Sequence, residues 1–419
     1  MEYNKNLLPI TDACLNITEA CNCICEYCFT EHHPNYMTLD VAKEAATWLY
    51  NNAKISSQIQ GKEIIPNIGF FGGEPTLMWD SIIVPLVNWI KERQWKFEYG
   101  ITSNCVLMDK EKVDFLIENN IGLLISMDGD KTTQDMNRPL KNSTQSSFDL
   151  VSKNLSYIVE KMPGTMFRST ITAKSAPYFF ENLMYAGRMG FNTVFSIINE
   201  FEEWPEEARN ILEQELDKYC LYVIDACIKQ ENFVKLRTFE QAINKIIAID
   251  TYLATLEDDE EVLTDLGPRE MDRCGLGSGY GSINYKGEIF SCQEVASRQG
   301  EKSIFYIGNI YDGIDFEKIS KLRSSFLERE IKYYNSLDKK KCENCFSKMS
   351  CRANMCPVNN YILFQDFSIN ADAWCWWMNM IMKKAMTVMF ILGQQENVFF
   401  KNYLLQEITM PGGPFYVNE

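Results

Sequence analysis

Histidine is almost missing from this chain: of 419 residues only His32 and His33 carry an imidazole, both in a Pro-Asn-flanked turn. A zinc knuckle built from paired C/H or C-x2-C motifs therefore lacks its usual partners around the first cysteines. No run of about 18 or more apolar residues occurs, so no membrane-spanning helix and no membrane partner are expected. Residues Met1 to Asn6 show neither the basic region nor the apolar region of a signal peptide, and the expected location is the cytoplasm. Positive charge is scarce as well. Lys and Arg number 41 against 57 Asp and Glu, a net charge of -16. No basic stripe is available to neutralise phosphates, which excludes a general nucleic-acid binder. The acid excess leaves two readings, an aid to solubility or a preference for a basic or neutral peptide partner.

Against these absences stand 15 cysteines. In a chain without an export signal, a reducing compartment and metal ligation explain them better than disulfides. With 46% hydrophobic residues the chain can bury a large core, as one large domain with an appendage. Cys21, Cys25 and Cys28 form a C-x3-C-x2-C loop. Three thiolates fill three corners of a [4Fe-4S] cluster and leave one iron without a protein ligand, while Tyr27 shields one face from water. A zinc knuckle or a group of buried thiols is the plainer alternative.

From about Asp12 to Ile198, β-branched or aromatic runs alternate with helical patterns, the signature of repeated βα units on a parallel sheet. Strands are expected at Leu15–Glu19, Ile65–Phe71, Phe97–Ser103, Gly122–Met127, Met166–Thr172 and Thr193–Ile198. Helices fit Thr38–Ala53, Trp79–Glu92, Asp109–Glu118, Ser146–Lys161 and Pro177–Arg188. Six strands make an incomplete barrel, a partial (β/α)6 TIM-like fold within the α/β class, whose active site belongs at the C-terminal strand ends.

The cysteine loop is followed by Gly72-Gly73-Glu74-Pro75, Thr102-Ser103-Asn104 and Ser126-Met127-Asp128-Gly129, each at such a strand end. Four such motifs in this order resemble the radical S-adenosylmethionine (radical SAM) enzymes. The resemblance implies that the open iron binds the amino and carboxylate groups of S-adenosylmethionine, which an electron cleaves to methionine and a 5'-deoxyadenosyl radical. It implies roles for single residues too. Glu74 suits the ammonium, Gly72 and Gly73 allow close backbone approach, and Pro75 fixes the exit of the turn. Ser126 and Arg138 match positions that meet the methionine carboxylate, and Ser103 and Asn104 those near the ribose. Asp128-Gly129 is either a ligand contact or an ordinary turn.

Residues 199–271 are acidic and helical and read as a bridge, with Glu257 to Glu261 as a solvated loop. Residues 272–378 are rich in cysteine: Cys274 and Cys292 bracket a Gly-rich stretch and a hairpin pattern, and Cys342, Cys345, Cys351, Cys356 and Cys375 follow. The group Cys342, Cys345, Cys351 and Cys356 taken alone also suits a zinc ribbon. Behind the barrel this section resembles the SPASM extension of peptide-modifying radical SAM enzymes, although Cys351 and Cys356 are spaced by four residues where that family has three. Its crossed pattern implies one auxiliary cluster on Cys342, Cys345, Cys351 and Cys375. A second, on Cys274, Cys292 and Cys356, has three thiolates and an open iron. The remaining residues 379–419 form a helical tail, and across its start, from Trp376 to Gln406, a stripe of Met378, Met382, Ala385, Met389 and Leu392 suits core packing or, alternatively, a peptide groove.

The open auxiliary iron suggests that a cysteine of a ribosomally made precursor peptide (RiPP) is joined through sulfur to carbon, giving a thioether of sactipeptide or ranthipeptide type under anaerobic conditions. Gln293 stands where sulfatase-maturing relatives carry an aspartate. The alternatives are carbon-carbon cross-linking or side-chain oxidation of a peptide, and, more distantly, a non-catalytic iron-sulfur electron carrier. Expected partners are the peptide, a separate leader-binding protein, and a reductant such as flavodoxin or ferredoxin.

Overall fold

The computed structural model describes residues 7–254, 275–297, 303–325, 345–347, 356–367 and 369–409. Along the chain run β1 (Asp12–Thr18), α1 (Leu39–Gln60), β2 (Asn67–Gly72), α2 (Val84–Glu92), β3 (Glu98–Ser103), α3 (Lys110–Glu118) and β4 (Ile121–Ser126). Next come α4 (Lys131–Asn137), α5 (Ser147–Lys161), β5 (Met166–Ile171), α6 (Phe179–Arg188), β6 (Thr193–Ile198), α7 (Glu206–Lys229), β7 (Lys235–Leu236) and α8 (Arg237–Ala254). Strands β8 (Tyr280–Ile283), β9 (Glu288–Phe290), β10 (Tyr306–Asn309) and β11 (Gly313–Ile314) precede three further helices, Pro357–Phe364, Asp372–Gln394 and Val398–Thr409.

Two compact units result, one from residues 1–126, 138–165 and 268–328, the other from 127–137, 166–267 and 329–419. In the first, β1, β2, β3 and β4 are parallel neighbours, and β8 extends the sheet parallel to β1, with Asp12 opposite Tyr280. Side chains alternate between the two faces of a strand, and the buried Leu15, Ile17, Ile68, Phe70, Ile101, Ile121 and Ile125 fall at alternate positions in register, so they line one face of the sheet. Strands β9 to β11 continue the sheet as antiparallel ribbons. The hairpin expected after Gly281 is the β8–β9 pair.

Three helix starts are set locally by a capping side chain. Thr38 Oγ1 accepts from Val41 N at 3.3 Å, Asp109 from Lys112 N at 2.9 Å and Ser146 from Asp149 N at 3.0 Å. Helix α1 runs past the expected stop at Ala53, because residues 54–60 hold no breaker and Gly61, at φ +68°, ends it. The expected helix over Trp79–Glu92 is uneven. Pro85 has no N–H to give to Ser81, and the chain takes a wider π turn over Trp79–Ile83 before α2.

In the second unit β5, β6 and β7 are parallel, so the segment read as a helical bridge also carries a short strand. Helices α7 and α8 pack on helix Asp372–Gln394, whose buried stripe runs through Trp377, Ile381, Met382, Ala385, Val388 and Leu392. Core packing accounts for the Met-rich pattern, with Met378 and Met389 at its half-buried edges. The acidic run Glu257 to Glu261 lies outside the described residues.

Candidate cluster and cofactor site

The cysteine loop follows β1 and is gripped from two directions by backbone of the first unit. On one side Gly73 N donates to Thr18 O at 2.8 Å and Glu74 N to Ala20 O at 2.9 Å. A Cβ on Gly72, at φ +135°, would stand 2.1 Å from Thr18 O, and one on Gly73 2.2 Å from Ala20 O. The two glycines are therefore required by the protein's own backbone at this turn. On the other side Ile24 N donates to Pro139 O and Lys141 N to Asn22 O, both at 2.8 Å. This brings Arg138, itself buried, beneath the loop with its guanidinium carbon 5.3 Å from the centre of the Tyr27 ring.

Glu74 is fully buried and accepts four hydrogen bonds: from Thr76 N at 3.0 Å, Thr76 Oγ1 at 2.5 Å, Ser103 Oγ at 2.8 Å and Asn104 N at 2.8 Å. Burial raises its pKa and these bonds oppose the rise. The carboxylate thus ties the turn after β2 to the end of β3. Asn104 passes the tie on to the loop. Its Oδ1 accepts from Val106 N at 3.0 Å, which points Nδ2 at Asn22 Oδ1 (2.7 Å) and at the sulfurs of Cys23 (3.5 Å) and Cys21 (3.9 Å).

Cys21 and Cys25 are half-buried and Cys28 is exposed, whereas Cys23 between them is buried. Cys21 has its pKa lowered, first by the hydrogen bond from the Cys23 thiol and then by that from Cys23 N, against the opposing effect of burial. Burial raises that of Cys28, whose sulfur stands 3.5 Å from His32 Nε2. Cys21, Cys25 and Cys28 put three sulfur donors, the chemistry an iron-sulfur cluster needs, on one short loop, one of them already receiving an N–H, but among the described residues no three such side chains are drawn together as a metal site. Asn22 Nδ2, buried in the same loop, has no hydrogen-bond partner among the described residues. The sequence pattern missed Cys23, although its C-x-C spacing to Cys21 and Cys25 was visible.

Ser126 closes β4 at the same strand-end level as the other motifs of this unit. Cys105, beside Asn104, is buried at φ +57° with its sulfur on Ser103 O at 3.7 Å. In the second unit Asp128 is buried. Its Oδ1 accepts from Thr170 N at 2.9 Å and its N donates to Gln134 Oε1 at 2.9 Å. Gly129 takes φ +150° against the Asn182 side chain, so the Asp-Gly pair forms a turn ahead of α4.

Of the later cysteines, Cys274, Cys342 and Cys351 lie outside the described residues. In the first unit Cys292 is buried beside Gln293, its sulfur 3.7 Å from Oε1. Gln293 in turn holds the Tyr280 hydroxyl, which stands 3.4 Å from the Cys14 sulfur. In the second unit Cys356 immediately precedes helix Pro357–Phe364, and Cys375 closes the first turn of helix Asp372–Gln394, its N–H donating to Ala371 O at 3.0 Å. The Cys345 sulfur stands 3.4 Å from the Asn379 amide. Among the described residues no helix is long and apolar enough to cross a membrane.

No family model matches the chain. By sequence it is 25% identical to an uncharacterized protein of Methanocaldococcus jannaschii over 231 residues, 49% of this chain and 76% of that protein. It is also 25% identical to the radical SAM cyclopropyl synthase TigE of Paramaledivibacter caminithermalis over 187 residues, 41% of this chain but only 37% of TigE. By structure it is similar to anSMEcpe with bound AdoMet, at TM-score 0.67 and 17% identity, over 95% of this chain and 98% of that one. Streptococcus suis SuiB bound to precursor peptide SuiA follows at TM-score 0.53 and 17% identity, over 88% of this chain and 77% of that one. The architecture is that of the radical SAM enzymes: α/β, with parallel strands whose C-terminal ends carry the cysteine loop and the Gly-Gly-Glu-Pro turn.

Proposed function

We propose that this protein is a radical SAM enzyme that modifies a peptide, and that its product is a thioether joining a cysteine sulfur to carbon. The observation that carries the radical SAM reading is the double backbone grip on the cysteine loop, by Gly73 and Glu74 on one side and Pro139 and Lys141 on the other. When bound to Cys21, Cys25 and Cys28, a [4Fe-4S] cluster supplies the electron that cleaves S-adenosylmethionine.

The chain's own residues prepare the site. Glu74, Ser103 and Asn104 form one buried hydrogen-bonded strut, so that cofactor-binding groups at the ends of β2 and β3 are held at fixed spacing before anything binds. Arg138 offers its guanidinium to the methionine carboxylate while stacked on Tyr27, and Ser126 stands at the end of β4 for the same group. Ser103 and Asn104 are assigned to the ribose, and Pro75 fixes the exit of the turn. Asp128 is assigned to the cofactor as well, and within the second unit its Oδ1 accepts from Thr170 N.

Cys274, Cys292, Cys342, Cys345, Cys351, Cys356 and Cys375 are assigned to two auxiliary clusters, within a division of the chain into barrel (1–198), bridge (199–271), cysteine-rich domain (272–378) and tail (379–419). Likeness to SuiB, solved with its precursor peptide, and to anSMEcpe, solved with a Cp18Cys peptide, supports a peptide substrate. The cysteine content of that peptide, a cytoplasmic location, a flavodoxin or ferredoxin reductant and a separate leader-binding protein complete the reading. Its test is direct. Reconstituted, reduced protein should release 5'-deoxyadenosine from S-adenosylmethionine, and a cysteine-containing precursor should lose one S–H and one C–H hydrogen per link, about 2 Da, with one fewer alkylatable thiol. A mass loss that leaves every thiol free would turn the assignment to carbon-carbon cross-linking or side-chain oxidation.

A further inference from the structure

Among the cysteines of the second unit, one carboxamide stands out. Asn379 lies one helical turn after Cys375, and its Nδ2 donates to the Cys375 carbonyl at 2.8 Å. Its Oδ1 accepts from the buried Ser347 hydroxyl at 3.0 Å. The two anchors settle which atom of the amide is nitrogen, because a carbonyl oxygen can only accept. One N–H of Nδ2 remains, and the Cys345 sulfur is 3.4 Å from that nitrogen.

The same sulfur is 3.4 Å from Oδ1, so a protonated Cys345 is satisfied by donating to oxygen. A metal-bound thiolate is an acceptor only, and for it the free N–H is the useful partner. Since Ser347 and the Cys375 carbonyl already hold the amide in that orientation, nothing has to rotate when the sulfur changes state. At the first cysteine group the Asn104 amide, fixed by Val106 N on its oxygen, gives Nδ2 to Asn22 Oδ1 at 2.7 Å and also turns it to the sulfurs of Cys23 at 3.5 Å and Cys21 at 3.9 Å. Two carboxamides from unrelated segments, each locked by its neighbours and each turned to a cysteine sulfur, argue for a common purpose.

We propose that Asn379 is a positioning residue for an iron-sulfur cluster held by Cys345 and Cys375, donating its remaining N–H to the Cys345 sulfur and so raising that cluster's reduction potential. The inference rests on the reading of these cysteines as cluster ligands. A hydrogen bond to a ligand sulfur withdraws charge from it and favours the reduced, more negative cluster. Asn379 touches no substrate in this role; it sets how readily the auxiliary cluster takes an electron.

The experiment is a redox titration, followed by electron paramagnetic resonance, of the full chain reconstituted with iron and sulfide. The signal that responds to S-adenosylmethionine marks the cluster on Cys21, Cys25 and Cys28 and serves as internal reference. Asn379→Leu should move one auxiliary signal to more negative potential. Asn379→Asp should move it further, since a carboxylate only accepts and adds charge, and the reference signal should stay in place. Full iron content with an unmoved potential in both variants overturns the proposal. Should they fail to retain iron, Ser347→Ala decides, because it loosens the amide without touching a ligand. A smaller shift of the same sign supports the proposal and no shift overturns it. Cys345→Ala separates the two levels: unchanged iron content would remove the ligand reading itself, whereas iron loss beside an unmoved Asn379→Leu potential removes only this inference.

Discussion

Around Cys21, Cys25 and Cys28 the sulfurs sit on one short loop that backbone hydrogen bonds grip from two sides, whereas Cys345 and Cys375 come from distant stretches and meet through a single side chain, Asn379. The first arrangement depends on chain geometry, on glycines that let strand-end backbones touch. The second depends on helix packing, on the register that sets Asn379 one turn beyond Cys375 against the segment carrying Ser347. Substitutions in the loop should therefore act as switches, and substitutions around the C-terminal cysteines as adjustments.

The largest effect should come from removing the loop's sulfurs. Replacing Cys21, Cys25 and Cys28 together by alanine should bring 5'-deoxyadenosine production to background while leaving the iron bound at the C-terminal cysteines, since the two ligand sets share no residue. Iron counting and product chromatography on the same sample check both halves. Undiminished cleavage would end the radical SAM reading.

Next is the glycine pair. Gly73→Ala puts a methyl 2.2 Å from Ala20 O and 2.6 Å from Ala20 C, contacts that only a backbone shift can relieve. A loss of about 3 kcal/mol in folding stability is expected, with cofactor cleavage falling as the loop moves. Denaturant titration measures the first and the cleavage assay the second. Gly61→Ala, at a helix end where nothing stands within 4 Å, should cost about 1 kcal/mol from its positive φ alone and leave cleavage intact. Equal losses in the two variants would mean that the close approach to Ala20 is not what fixes the turn.

Much of this first region was legible in the sequence because it is local. A cysteine loop, a Gly-Gly turn and β-branched runs of fixed period report their own strands, and β6 lies where its pattern put it. The extension of α1 to Gln60 and the π turn before α2 were missed because boundaries depend on where a breaker happens to stand, here Gly61 and Pro85. The strut through Glu74 was missed for another reason. Sequence suggested a ligand contact for each of Glu74, Ser103 and Asn104 separately, and only tertiary structure shows that they bind one another. Asn379 had no signal beyond its helical spacing from Cys375, and its meeting with Ser347 and Cys345 arises from packing alone.

That strut supplies the third prediction. Glu74→Gln replaces an acceptor of four hydrogen bonds with an amide whose N–H2 must face Asn104 N or the Thr76 and Ser103 donors, leaving one pair opposed. A loss of about 1.5–3 kcal/mol is expected. It should appear in thermal stability, through the internal contacts, and in S-adenosylmethionine affinity, through the ammonium. Lowered stability with an unchanged dissociation constant would confine Glu74 to holding β2 and β3 together.

The smallest effect belongs to Tyr27, which tests whether the loop's side chains matter once its backbone is held. The Arg138 guanidinium lies 5.3 Å from the ring centre, within the range of a cation–π contact worth about 0.5–2 kcal/mol at a partly desolvated site. Tyr27→Phe keeps the ring and should bind S-adenosylmethionine as before. Tyr27→Leu keeps the apolar bulk but loses the negative face of the ring, so Arg138 is freer to turn from the carboxylate. The dissociation constant should rise about threefold, which corresponds to ~0.7 kcal/mol. Circular dichroism melts should be nearly level across the three proteins, because Pro139, Leu140 and Lys141 still pair with the loop through backbone. If Phe weakens binding as much as Leu does, the hydroxyl rather than the ring face is what Arg138 uses. If neither changes it, the backbone grip alone positions the arginine, and the contrast between the two cysteine groups is sharper than the side-chain contacts suggest.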